Sequence, residues 1–185
     1  MSAFSPAMGR CRPSVRSVAA ILSSGTSCLR AGDREGPGAT PPVHTETIVV
    51  AWADCDAAGK VFYPNFYVWF DRATEKLFRS VQLPLAELRR QFQIVGMPLL
   101  ESRAEYRNAC LHGAELQLES RVESWSGRTF TVQHRVTHAD GRPALRGWEK
   151  RVFVVEDAAR PAGVRAVVAP EEVIARLGGL RENKE

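Results

Sequence analysis

Two aspartates, Asp54 and Asp56, stand in the turn-forming stretch DCDAAG (54–59), just ahead of a helical pattern that opens at Pro64. A helix start offers backbone N–H groups without intrahelical partners and the positive end of the helix dipole. Such groups can hold a developing oxyanion. A carboxylate just before them can act as nucleophile or general base. The same aspartates can also do no more than cap the turn and the helix, and on spacing alone capping is the better reading. Other chemical signatures are missing. GxSxG, GxxxxGK[ST] and a full GxGxxG do not occur, and the GPG at 36–38 lies in a polar tail. His112, His134 and His138 form no HExxH, and His134 shares the parity of Phe130 and Val132, as a packed core histidine would. Cys11, Cys28, Cys55 and Cys110 show no CxxC spacing, so neither a zinc site nor a disulfide framework is expected, and a reducing, cytoplasmic location fits.

The elements that must position Asp54 and Asp56 follow from periodicity. Residues 47–52 (TIVVAW) read as a strand rich in β-branched side chains. In 64–80, Phe66, Trp69, Phe70, Ala73 and Leu77 form one helical stripe, with Tyr67 and Val68 adding apolar surface outside it. The first two turns of that helix are therefore expected to be buried on most sides. Pro64 suits the first helical turn, where its missing N–H costs nothing. A short helix over 85–92 follows Pro84. Strands are expected over 97–107, 115–125, 129–138 and 146–155, joined by short hairpins, with Asp140-Gly141 as one turn. A last helix over 171–177 ends at Gly178-Gly179. Strand, long buried helix, short helix, then strands makes an α+β plan with an antiparallel sheet. One such sheet curled around the long helix would explain why that helix is so widely apolar.

With 185 residues, the chain has room for one domain and a tail. Fourteen of its 15 aromatic residues lie between Trp52 and Phe153, and Phe4 is the only earlier one, so residues 1–43 lack the side chains of a core. That segment reads either as an extension without fixed structure, with the arginine-rich, acid-poor composition of a transit peptide, or as translated upstream sequence. Residues 44–180 then make the folded domain. The formal charge of +4 is concentrated in the tail, where five arginines face only Asp33 and Glu35. The domain keeps about +1, so a nucleic-acid partner is not expected. No run approaches the roughly 18 apolar residues of a membrane-spanning helix, so no membrane role is expected.

The stretch AWADCDAAGKVFYPNFYVWFDRA (51–73) resembles the 4-hydroxybenzoyl-CoA thioesterase family of the hotdog superfamily. The likeness continues in IVGMPLL (94–100), ESWSGRTFTVQHRV (123–136) and EKRVFVV (149–155). The resemblance implies a hotdog fold, an antiparallel sheet wrapped around one long central helix. It implies homo-oligomers, dimer or tetramer, with active sites between subunits. It also implies hydrolysis of an aromatic acyl-CoA without cofactor or metal. The family's catalytic carboxylate falls on Asp56, as nucleophile through a mixed anhydride or as a base for water. Its oxyanion donor falls on the backbone N–H of Tyr63. Met97, Pro98 and Leu99 match a substrate-contacting segment, and Arg128 replaces a lysine that helps hold the nucleotide of CoA. Lys150 and Arg151 are weaker candidates for its phosphates. The chain departs from the family near Ala86, where an aromatic residue is missing, which leaves the acyl specificity open. Pro64 stands where a neighbouring branch of aliphatic acyl-CoA thioesterases has histidine, which favours the aryl branch. The alternatives are a short- or medium-chain aliphatic thioesterase and a non-catalytic acyl-CoA-binding hotdog module.

Overall fold

The computed structural model describes residues 41–182. The expectation for the N-terminal extension falls almost wholly outside the described residues. The elements run β1 (His44–Val49), a 3-10 turn (Trp52–Asp54), α1 (Pro64–Ser80), α2 (Leu85–Phe92), β2 (Ile94–Gly96), β3 (Leu99–Tyr106), β4 (Glu115–Ser126), β5 (Thr129–His138), β6 (Pro143–Glu156), β7 (Val164–Val167), α3 (Glu171–Leu177) and β8 (Leu180–Arg181). The sheet order is β1-β4-β5-β6-β2, with β3 and β7 also pairing with β6. Every pair is antiparallel except β8, which joins β4 in parallel.

The helix stripe read from the sequence is the buried one. Phe66, Trp69, Phe70, Ala73 and Leu77 all face the sheet, joined by Thr74 and Phe78. Around the start of α1, Phe66, Trp69 and Phe70 pack with Leu116, Leu118, Val136 and Leu145. At its far end Leu77 and Phe78 pack with Val122, Trp125, Phe130 and Phe153. α1 thus lies along the β4–β5–β6 surface, its start over the beginning of β4 and its end over the β4–β5 turn. The close approach in the middle is set by Gly147 of β6. A Cβ there would stand 2.2 Å from the Phe70 ring, so only glycine admits the helix at this depth. Phe70 also stacks on His134, with 4.4 Å between centroids and 7° between planes.

Several expectations are corrected. The first strand begins and ends three residues earlier than expected, and Trp52 opens a 3-10 turn with its ring 80% exposed. The later strands are not all hairpin-joined, because β3 pairs with β6 while β4 pairs with β1 and β5. α1 is not sheathed on most sides in one chain. The sheet covers one flank, Tyr67 is half-buried and Val68 is 43% exposed. Strands β2, β7 and β8 lie outside the expected elements. Each has four residues or fewer, too short for an alternating pattern to show.

Candidate active site

Asp56 sits in a tight loop whose flanks Cys55 and Val61 form an isolated antiparallel bridge. Its own N–H donates to the Lys60 carbonyl at 2.8 Å, and Gly59 turns the chain with φ +70°, which favours glycine. The side chain closes the loop. Asp56 Oδ1 accepts the Ala58 N–H at 2.9 Å and the Lys60 N–H at 3.2 Å. One carboxylate oxygen is anchored by two amides, while Oδ2 has no partner among the described residues and the residue is exposed. The capping role weighed from spacing is thus performed by one oxygen and leaves the other free.

The loop is stapled to the start of α1 through Asp54. Its carbonyl accepts the Phe62 N–H at 2.8 Å and the Asn65 Nδ2 at 2.9 Å. Its own carboxylate folds back onto the Ala51 N–H at 2.9 Å and is spent locally. Tyr63 caps α1 with helical φ and ψ, and Pro64 follows as the first helical residue. The Asn65 and Phe66 amides turn back to the Phe62 and Tyr63 carbonyls, and Pro64 has no N–H. The Tyr63 N–H is left without an acceptor among the described residues, at the positive end of the helix dipole. Cys55 lies between the two aspartates, but desolvation and then the charges of Asp54 and Asp56 raise its thiol pKa, which keeps it protonated and a poor nucleophile.

Beside this corner opens a cleft of about 340 Å³, walled by Val61, Tyr63, Phe66, Tyr106 and Cys110, with Lys60 at its rim. Burial first, and then Tyr67 and Tyr63, push the Tyr106 phenol up to about 12, so it stays a hydrogen-bond donor across ordinary pH. Trp52, Phe62, Tyr63 and Leu111 are all exposed around it. Among the described residues no group of three or more His, Cys, Asp or Glu side chains is arranged to hold a metal ion.

The remaining candidates lie apart from this corner. Met97, Pro98 and Leu99 form the crossing from β2 to β3, with Leu99 46% exposed. Arg128 lies in the β4–β5 turn, in a cleft of about 330 Å³ with Arg160 and Arg165. That turn stands past the end of α1, so a helix of 17 residues, about 25 Å, separates Arg128 from Tyr63 of the same chain. Lys150 is exposed on the outer sheet face, in a separate cleft with Trp148, Glu101 and Glu123. Arg151 is a correction. It points inward, 6% exposed, with its guanidinium taken by Glu149, Asp71 and the Met97 carbonyl, and is not free for a phosphate.

Arg151 belongs to a buried polar seam that sequence reading missed. Ser120 Oγ lies 2.8 Å from His134 Nδ1, and His134 Nε2 lies 3.4 Å from Glu149 Oε2. Thr74 of α1 donates to the same oxygen at 2.7 Å. Burial alone would raise the Glu149 pKa, but the adjoining His134 ring and the hydrogen bonds and charge of Arg151 outweigh it and hold it at about 2. Burial lowers the His134 pKa against the pull of Glu149, so that ring is neutral. A signal was available. Leu145, Gly147, Glu149, Arg151 and Phe153 share one parity, and the face with Leu145 and Phe153 is the buried one.

A model of the thioesterase-like superfamily matches residues 50–177. The 4-hydroxybenzoyl-CoA thioesterase of Pseudomonas sp. (strain CBS-3) is 28% identical over 130 residues, which cover 68% of this chain and 90% of that protein. A crystal structure of an Asp-to-Asn mutant 4-hydroxybenzoyl-CoA thioesterase complexed with 4-hydroxybenzoyl-CoA superposes with a TM-score of 0.66 at 27% identity, covering 74% of this chain and 99% of that one. A gentisyl-coenzyme A thioesterase structure gives a TM-score of 0.59 at 26% identity, over 70% of this chain and 98% of that one.

Proposed function

Since the chain belongs to the thioesterase-like superfamily and has the hotdog fold, its activity is that of an acyl-CoA thioesterase, and we propose that the acyl group it removes is aromatic, of the 4-hydroxybenzoyl kind. The observation that carries the reading is the corner at the start of α1. There the loop bearing a carboxylate with one anchored and one free oxygen is stapled, through the Asp54 carbonyl, to a helix N-terminus that presents an unpaired amide.

The free oxygen of Asp56 attacks the thioester carbonyl carbon. The oxyanion that forms is held by the Tyr63 N–H and the helix dipole. Collapse of the adduct breaks the carbon–sulfur bond and releases CoA as the thiolate, which takes a proton from water. Water then cleaves the mixed anhydride to the free acid and restores Asp56. With Asp56 as base instead, it takes a proton from water, which attacks the same carbon. Neither route calls for a cofactor or metal. The aromatic walls of the adjoining cleft, Tyr63, Phe66 and Tyr106, support an aryl acyl group. Met97, Pro98 and Leu99 line the acyl and pantetheine path, and Arg128 takes the nucleotide end, with Lys150 as a further cation.

The 25 Å scale between Tyr63 and Arg128 supports a site shared between two copies, so the working form is a dimer or a tetramer. β3 supports this too. Among the described residues it pairs only with β6, so one edge is open, and Leu99, Leu100 and Tyr106 are exposed along it. A cytoplasmic location is consistent with the reduced thiols this reading assumes. A panel of aryl and alkyl thioesters tests the acyl assignment. kcat/KM is expected to be at least tenfold higher for the best aryl-CoA than for any alkyl-CoA, about 1.4 kcal/mol of discrimination. An alkyl-CoA at the top of the panel would replace the aromatic reading with the aliphatic one.

A further inference from the structure

We propose that Arg151 is a positioning residue, which sets the placement of the Met97–Pro98–Leu99 segment against α1 through its bond to the Met97 carbonyl and so governs how tightly the acyl-CoA fits. The proposal rests on the reading of that segment as part of the substrate site.

The backbone ladder does only part of this job. β2 pairs with β6 through Gly96 and Val154, and β3 resumes at Leu99 opposite Arg151, with an irregular register up to Glu101. Between them, two consecutive carbonyls are held outside regular strand pairing. The Pro98 carbonyl accepts the Val152 N–H at 3.2 Å, and the Met97 carbonyl accepts Arg151 Nη1 at 3.1 Å. The same guanidinium donates to Glu149 through Nε at 3.1 Å and Nη2 at 3.0 Å, and to Asp71 of α1 through Nη2 at 2.6 Å. Glu149 is in turn fixed to α1 by Thr74. One side chain therefore ties β6, α1 and the crossing segment together.

The cost of the arrangement argues that position, and not stability alone, is at stake. Charges buried under a helix are desolvated at a penalty that their pairing barely offsets, and apolar residues of similar volume often serve stability as well. An apolar side chain could not bond a carbonyl. Lysine offers its three donors from a single point, without the rigid planar fork by which the guanidinium reaches Glu149, Asp71 and the Met97 carbonyl at once.

The test compares Arg151→Lys with Thr74→Val. Arg151→Lys keeps the charge opposite Glu149 but loses the fork. Thr74→Val removes one bond to Glu149 at nearly constant shape and leaves Arg151 on Met97. On the best aryl-CoA, Arg151→Lys is expected to raise KM about tenfold, as loss of a charged hydrogen bond would, with kcat within about twofold of wild type. Thr74→Val is expected to lower Tm without moving KM. Arg151→Lys folded at wild-type KM overturns the proposal, as does an equal KM rise in Thr74→Val, which would mean general loosening. Should Arg151→Lys not fold, Asp56→Asn serves instead. The Arg151 Nε–H resonance must shift when that variant is saturated with 4-hydroxybenzoyl-CoA, and an unmoved signal overturns the proposal. A wild-type chain that neither binds nor hydrolyses any thioester overturns this proposal and the functional reading together, whereas an unmoved KM overturns this one alone.

Discussion

Asp56 sits in the loop that Asp54 ties to the start of α1, Glu149 is bonded to Thr74 at mid-helix, and the chain treats these two carboxylates in opposite ways. At the start of the helix Asp56 is exposed and spends one oxygen on two backbone amides. At mid-helix Glu149 is 1% exposed and commits both oxygens to Arg151 and Thr74, with the His134 ring 3.4 Å away. The surroundings follow the same division. Around Asp56 the aromatic rings of Trp52, Phe62 and Tyr63 lie open to solvent, and around Glu149 the Phe70 and His134 rings stack in the core. A group meant to react needs an unspent lone pair and access, while a group meant to hold the fold needs every lone pair satisfied. Asp56 should therefore matter to rate and little to stability, and Glu149 the reverse.

Removing Glu149 should give the largest stability effect. Glu149→Ala leaves Arg151 buried without its main partner, and a loss of about 3–5 kcal/mol is expected in denaturant unfolding. A loss under about 1 kcal/mol would mean that the seam is not the structural half of the contrast.

Acid should give the next largest effect. Folding lowers the Glu149 pKa from its ordinary 4.5 to about 2. The unfolded chain therefore binds the proton more readily than the folded one. The stabilisation is full above pH 4.5 and is lost as the pH falls from 4.5 through 2. It amounts to about 3 kcal/mol at 1.36 kcal/mol per pH unit. Unfolding free energies measured across that window should fall in wild type and fall less in a folded Glu149→Gln variant. Parallel curves would detach the seam from acid stability.

A smaller effect belongs to the closest contact between helix and sheet. Gly147→Ala drives a methyl group into the Phe70 ring and should cost about 1–3 kcal/mol, read as a lower denaturant midpoint. Because the strain falls mid-helix, KM should change little once the variant is folded. A KM shift would show that the two regions are coupled more tightly than the contacts describe.

Much of this contrast could be read from the residues. The stripe of α1 and the bounds of α2, β5 and α3 are where periodicity and turn residues put them, because each is a local pattern of eight or more residues or is bounded by Pro and Gly. The Asp56 corner was legible as a motif, and the motif also carried Tyr63. The seam was not read, because charged residues in an alternating strand are ordinarily placed outward, and Glu149 and Arg151 reverse that rule only by pairing with each other and with α1. The partners of β3 were not legible either, since pairing across about 40 to 50 residues of sequence leaves no local trace. The open side of α1 belongs with these. Tyr67 and Val68 read as core, but one sheet covers only one flank of the helix.

Whether the free oxygen of Asp56 does the chemistry is decided in Asp56→Asn by measuring turnover and acyl-CoA binding on the same folded sample. Asparagine can still accept the Ala58 and Lys60 amides through its carbonyl oxygen, so the loop should keep its shape and Tm should stay near wild type. The expected result is a loss of at least about a thousandfold in kcat with binding of 4-hydroxybenzoyl-CoA retained. Undiminished kcat in the folded variant would rule out Asp56 as the reacting group and move the chemistry away from the start of α1.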